Sequence, residues 1–347
     1  MKENSLNNRK IYISLLKVIC CFGVTVIHTN MIFWCRPHGR VWVFANFFET
    51  FFYYAVPIFF MIAGATSLDY REKYTTKVFL KKRITKIFFP FIFWSFIAGL
   101  FMAKLEGHPF DWNIFHIINN IFTSNYFGVY WFLITMLELY LSFPLLSAVN
   151  DKIKVYSYTV VIGIVFVGTI PLFLKILHIG TWSILPPVVS GYLIFVLLGY
   201  VLDRISIEKK YRIGIYILGF LGWLTHFLGT IYLSYGTDEI VDTFKGYLNL
   251  PAILQTVAVF VFFKHIDYQK FLKNRYMTFE KIVNQLASYT FGVYLLHLFP
   301  IKYLPVKFQI DVSTLTWQCG GSVAIFLGCI VVVAIIKKIP FVNKLLP

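Results

Sequence analysis

Residues 17–28 read KVICCFGVTVIH. The ten residues between the lysine and the histidine are apolar or small, which suits a helix in hydrocarbon. The two end residues are ones such a helix should avoid. The whole chain shares the bias. It is 58% hydrophobic, 20% aromatic and only 14% charged, with a mean hydropathy of +0.71, whereas soluble domains carry roughly 25% charged residues. The 347 residues therefore read as one polytopic all-α membrane domain over 1–347, with no linker, low-complexity tract or internal repeat.

Runs of about 20 mostly apolar residues place about ten transmembrane helices. They lie at 11–31, 44–68, 84–103, 128–148, 155–176, 188–203, 211–234, 247–266, 286–304 and 320–338. The stretch 110–126, FDWNIFHIINNIFTSNY, is too polar to cross comfortably and reads as a surface or re-entrant helix. With the N-terminus in the cytoplasm, 24 of the 32 Lys and Arg residues fall in inside segments, seven of them between the second and third spans. Outside lie Arg36, Arg40, Lys104, Lys175, Lys245, Lys302 and Lys307. That asymmetry sets an even number of spans with both termini cytoplasmic. The net charge of +16 is then mostly topogenic. No nucleic-acid-binding motif accompanies it, and nucleic acid is excluded as a partner. Five cysteines without a CxxC pattern predict neither a disulfide framework nor a metal site. The first apolar run is interrupted by Lys17 and His28 and is followed by bulky residues, so it does not read as a cleavable signal peptide.

Ionisable groups at membrane depth carry the functional information, because each costs about 2.5–3.5 kcal/mol at a helix centre. Lys17, His28, Glu49, Glu138 and His297 are such groups. Eleven residues make three helical turns plus about 20°, so Lys17 and His28 share one face, separated by about 16 Å along the axis. A cation toward the cytoplasm and an imidazole toward the outer side suit a long anionic ligand that enters from the cytoplasm with its reactive end near the histidine. Taken singly, each has a plainer reading. Lys17 is close enough to the inner headgroups to snorkel, and His28 alone reads equally as a buried histidine bonded to a neighbouring helix. Pro57 in VPIFFMIAG (56–64) predicts a bend, and Ala63 and Gly64 predict close helix contact. His226 reads as structural.

The K-x10-H spacing of Lys17 and His28 resembles the R/K-x10-H pattern in the first helix of the acyltransferase-3 family of integral membrane acyltransferases. Further landmarks come in the family's order. VPIFFMIAG resembles the second-helix motif, and KKRITKIFFPFIFW (81–94) the basic start of the third helix. YWFL (130–133) resembles the family's H-L-W-F-L, and SYTFGVYLLH (288–297) the late helix that ends in His. The resemblance runs over about residues 9–338 and is nearest to the stand-alone enterobacterial-common-antigen O-acetyltransferase type. The chain departs from the pattern where Lys17 replaces the commoner Arg, where Lys86 stands as the second cation of R-x-x-R, and where Tyr130 replaces His.

The resemblance implies a membrane O-acyltransferase in the bacterial cytoplasmic membrane. It would move an acetyl group from cytoplasmic acetyl-CoA, a donor rather than a resident cofactor, to a hydroxyl of a surface polysaccharide or its lipid-linked precursor. Lys17, Lys82, Arg83 and Lys86 would hold the CoA phosphates, and topogenic charge is the alternative reading of the basic loop. His28 would act as general base, or take the acyl group itself. Glu49 would orient or charge-balance it. His297 would position the acceptor or polarise the carbonyl, and Glu138 is either a site carboxylate or a helix-pairing one. Tyr130 and Trp131 would face the sugar, although Trp131 reads more readily as an interfacial anchor. Two other activities fit the same sequence. One is O-succinylation of an exopolysaccharide. The other is transport of a lipid-linked glycan with no acyl chemistry, which would call for repeat symmetry that the sequence lacks.

Overall fold

The structure is a computed structural model. It describes residues 2–35, 37–178, 191–340 and 342–346, with side chains from Ile11 onward. Among the described residues there are fifteen α-helices and no strand. Among these residues seven stretches are long and apolar enough to cross a membrane, or eight if one bent pair counts as a single span. The sequence expectation of about ten is thus met only in part. Within the expected span at 188–203, residues 188–190 lie outside the described residues, as does Arg36, and the described helix, α9 (Leu193–Arg204), has 12 residues. The expected span at 247–266 is α11 (Leu250–Lys264), 15 residues or about 22 Å, short of a core about 30 Å thick.

The chain divides into two compact units. The first comprises Met1–Ser67, Asn150–Thr290 and Val312–Val323. In it α1 (Lys2–Thr29) is one continuous helix, followed by α2 (Gly39–Phe51) and α3 (Ala55–Ser67). The break between α2 and α3 lies where Pro57 forces it. Proline has no N–H for the Tyr53 carbonyl, and its ring crowds the preceding turn. Gln255 on α11 covers the exposed end of α2, its Nε2 donating to the carbonyls of Thr50 at 3.1 Å and Phe51 at 2.9 Å. The contact expected at Gly64 is present. A Cβ there would stand 1.8 Å from the Val196 carbonyl oxygen of α9, and one at Gly199 would stand 2.0 Å from the Met61 oxygen of α3. Missing side chains let the two backbones touch, as in other helix pairs in lipid. Beyond them, α10 (Lys209–Ser234) packs on α11 through Gly219 and Gly222 in the same way.

The second unit comprises Leu68–Val149, Phe291–Asp311 and Ala324–Pro347. Its long element is α4 (Thr76–Glu106), capped by the Thr75 hydroxyl, which accepts from the Val78 N–H, and ended by Gly107 at φ 75°. The amphipathic α5 (Ile114–Phe122), nine residues long, fits the expected non-spanning element. Then comes α6 (Trp131–Ser147). Arg71 covers the end of α6, donating to the Ser147 hydroxyl at 2.7 Å and the Pro144 carbonyl at 3.1 Å. The span expected at 286–304 is not one helix. α13 (Tyr276–Leu296), which enters this unit at Phe291, is interrupted at His297, and α14 (Leu298–Phe308) follows. Pro300 is the reason, because it leaves the Leu296 carbonyl without its helical donor.

Candidate active site

On α1, Lys17 and His28 are both half-buried, and His28 lies in the helix's last turn. Polar residues surround that end. The Thr25 and Thr29 hydroxyls donate back to the carbonyls of Cys21 and Thr25. Asn30, fully buried, reaches the Gln318 carbonyl at 3.3 Å. Gln318 sits in a π-helical turn, Thr316–Gly321, a local widening of the kind found at functional sites.

Glu49 does not serve His28 as expected. It is 2% exposed, and its Oε1 accepts from Lys245 Nζ at 2.5 Å, while Oε2 has no hydrogen-bond partner among the described residues. Lys245, expected in an outer loop, is itself buried. Its ammonium lies 4.4 Å from the Phe33 ring centroid, 4.8 Å from Trp34 and 4.5 Å from Tyr53. Burial pushes Lys245 below the ordinary lysine range, and the Glu49 charge and hydrogen bond pull it back up. A carboxylate and three aromatic faces thus solvate one cation, in a medium where an unpaired charge would be prohibitive. His226 lies beside them, fully buried and edge-on to Tyr53 at 4.8 Å, and neither ring nitrogen has a hydrogen-bond partner among the described residues.

The second unit holds the other candidates. Arg83 and Lys86 stand one turn apart on α4. The Arg83 guanidinium lies over the rings of Phe79 at 5.6 Å and Tyr140 at 5.3 Å, which holds its plane. Lys82 turns instead onto Tyr74, 3.9 Å from the ring centroid. Lys337, just past the Thr316–Ile336 span, joins this group. Partial burial and then the Lys86 charge lower its ammonium below the ordinary value. Lys86 and Lys337 thus stand close enough for their charges to oppose one another. Sequence reading missed Lys337, whose signal is the pair Lys337–Lys338 at the end of the last span.

His297 is fully buried, and its Nδ1 lies 2.6 Å from the Tyr294 carbonyl. A carbonyl only accepts, so Nδ1 carries the proton and Nε2 is the basic nitrogen. Tyr130 is 1% exposed and donates its hydroxyl to the Leu295 carbonyl at 2.7 Å, tying the start of α6 to the end of α13. That is a packing role, in place of the sugar contact expected. Trp131 is half-buried, and Glu138 stands exposed on α6 rather than facing inward. Among the described residues no cluster of His, Cys, Asp and Glu could hold a metal ion.

A family model described as an acyltransferase domain, acyltransferase-3, matches residues 10–334. The chain belongs to that family. The match takes in Lys17, His28, the α4 cations and His297, and leaves out Lys337. No curated protein and no solved structure matches the chain. Membership makes this a multi-pass membrane acyltransferase.

Proposed function

We propose that the protein is an O-acetyltransferase of the bacterial cytoplasmic membrane, acting over 1–347 as one functional domain with about ten membrane crossings and both termini cytoplasmic. Its donor is acetyl-CoA from the cytoplasm. Its acceptor is a hydroxyl of a surface polysaccharide or of its lipid-linked precursor, as in the enterobacterial-common-antigen type. The observation that carries the reading is the pair on α1. A cation and an imidazole three turns apart on one face of one unbroken helix both stay half-buried in a family of acyltransferases.

The chemistry assigns the roles. Arg83, Lys86 and Lys337 bind the CoA phosphates, and Lys17 adds a further cation for the donor. His28 takes the proton of the acceptor hydroxyl as that oxygen attacks the thioester carbonyl. The C–S bond breaks, and the proton passes to the departing thiolate, which leaves as the thiol of CoA. We assign His297 to the acceptor from its match to the family's late-helix motif.

The test is acetyl transfer measured beside acyl-CoA affinity and thermal stability. His28→Ala should lower transfer by about 10²–10⁴-fold, the usual worth of a general base, with affinity and stability kept. Arg83→Ala should weaken acyl-CoA binding. A stable His28→Ala protein that acetylates at the wild-type rate would overturn the mechanism.

A further inference from the structure

The segment after α4 builds a cleft that the roles above do not use. It has a volume of about 320 Å³ and lies between the end of α4, the following loop and α5, in the small part of the ligand-pocket range of about 300–1,000 Å³. Its floor is aromatic. The Tyr126 ring lies against Gly99, where a Cβ would come within 2.8 Å of it, so only glycine lets the ring lie there. Phe110 packs on Tyr126 at 6.1 Å, and both rings line the cleft; Trp112 lies outside the lining, against Phe110 at 5.0 Å.

The walls are polar and already positioned. Asn125 Nδ2 donates to Asn120 Oδ1 at 3.1 Å, which leaves the Asn120 amide hydrogens and the Asn125 oxygen for a ligand. Glu106 uses one oxygen on His108 Nε2 at 2.9 Å and keeps the other. Asp111 is held by the Asn113 N–H and by His116. Both His108 nitrogens face acceptors, the Pro109 carbonyl and Glu106, so this imidazole stays charged above its ordinary range. Paired donors and acceptors beside half-buried aromatic rings recognise vicinal hydroxyls and the C–H face of a pyranose. The two carboxylates disfavour a phosphate.

The outer face of α5 says where the cleft sits. Ile114, Phe115, Ile118 and Phe122 are 48–78% exposed on a nine-residue helix too short to cross. An amphipathic helix of this kind lies in the membrane interface. We infer that the cleft lined by Glu106, Asn120, Asn125 and Tyr126 is a saccharide-binding subsite at the membrane surface. It holds an uncharged sugar residue of the acceptor while that sugar is still attached to lipid. The inference rests on the O-acetyltransferase reading above.

The test uses the full-length protein in nanodiscs and two probes, octyl β-N-acetylglucosaminide below its micelle concentration and free N-acetylglucosamine. Saturation-transfer NMR reads which sugar protons touch the protein. The lipid-tethered sugar should bind saturably and at least tenfold more tightly than the free one. Glu106→Gln and Asn125→Ala should each weaken it tenfold or more, with acyl-CoA affinity and melting temperature unchanged. Equal binding of both probes would remove the lipid-linked part of the inference. Wild-type protein that binds neither probe, or variants that bind like wild type, would overturn the subsite. Acyl-CoA hydrolysis by the wild type is followed in parallel. Its absence alongside intact sugar binding would count against the acyltransferase reading and not against the cleft.

Discussion

At the scale of single residues, the buried Glu49–Lys245 pair sets the sharpest expectations. Removing one partner strands the other charge without water, which costs about 3–5 kcal/mol. Glu49→Ala should therefore lower stability by that order, and Glu49→Leu combined with Lys245→Met should recover most of it. Denaturant unfolding in lipid nanodiscs reads both, and a single variant as stable as wild type would show that the pair is not buried in the native protein. His108 offers a titration. Its hydrogen bonds to Pro109 and Glu106 raise its pKa, so it favours the folded state below about 6.5, the unfolded value, and loses that contribution as pH rises through the higher folded value. NMR should find His108 titrating above the ordinary value, and Glu106→Gln should bring it back down. Residue identity at these sites was legible from sequence, but partnership was not. Glu49 stood out as a carboxylate at membrane depth, yet its partner lies 196 positions away, in a loop whose lysine read as one more outer charge. The same limit hid Lys337, whose neighbour Lys86 is on a distant helix.

At the scale of elements, proline and glycine carried most of what the sequence could say. Pro57 marked a bend where the structure interrupts the helix between α2 and α3, and Gly64 marked a close contact whose other side, Gly199, only the fold supplies. Gly64→Val should force α3 away from α9, because even the first carbon of the new side chain meets the Val196 carbonyl. A loss of at least 1–3 kcal/mol, the usual cost of overpacking, is expected in thermal unfolding, and unchanged stability would contradict the packing. The ninth apolar run carries an interruption at His297 that hydropathy does not register, because it is a missing N–H. Leu296 and Leu298 are equally apolar, but Pro300 ends α13 between them. Pro300→Ala restores the donor and should favour a continuous helix through His297. The expected outcome is equal or greater stability with reduced transfer, and transfer at the wild-type rate would separate the break from the chemistry.

For the whole molecule, fold class and family were legible because composition, basic-residue asymmetry and spaced motifs survive without any knowledge of packing. The number of crossings was less so, since α9 and α11 are buried by neighbours rather than sized for the bilayer. Topology remains testable directly. Lys73→Cys, placed in the exposed loop and away from the Thr75 cap, should be labelled by an impermeant maleimide only in inverted vesicles, in a background cleared of the exposed Cys35 and Cys319. Labelling in intact cells would reverse the orientation. The Lys245 enclosure has one more consequence. Phe33, Trp34, Tyr53 and the Glu49 carboxylate form a receptor for an alkylammonium ion, already filled by the chain's own side chain. Lys245→Ala would empty that receptor without altering its walls, so millimolar propylammonium should raise the melting temperature of this variant and leave wild type unmoved. The protein would then have become a sensor for a small amine, with its stability as the signal.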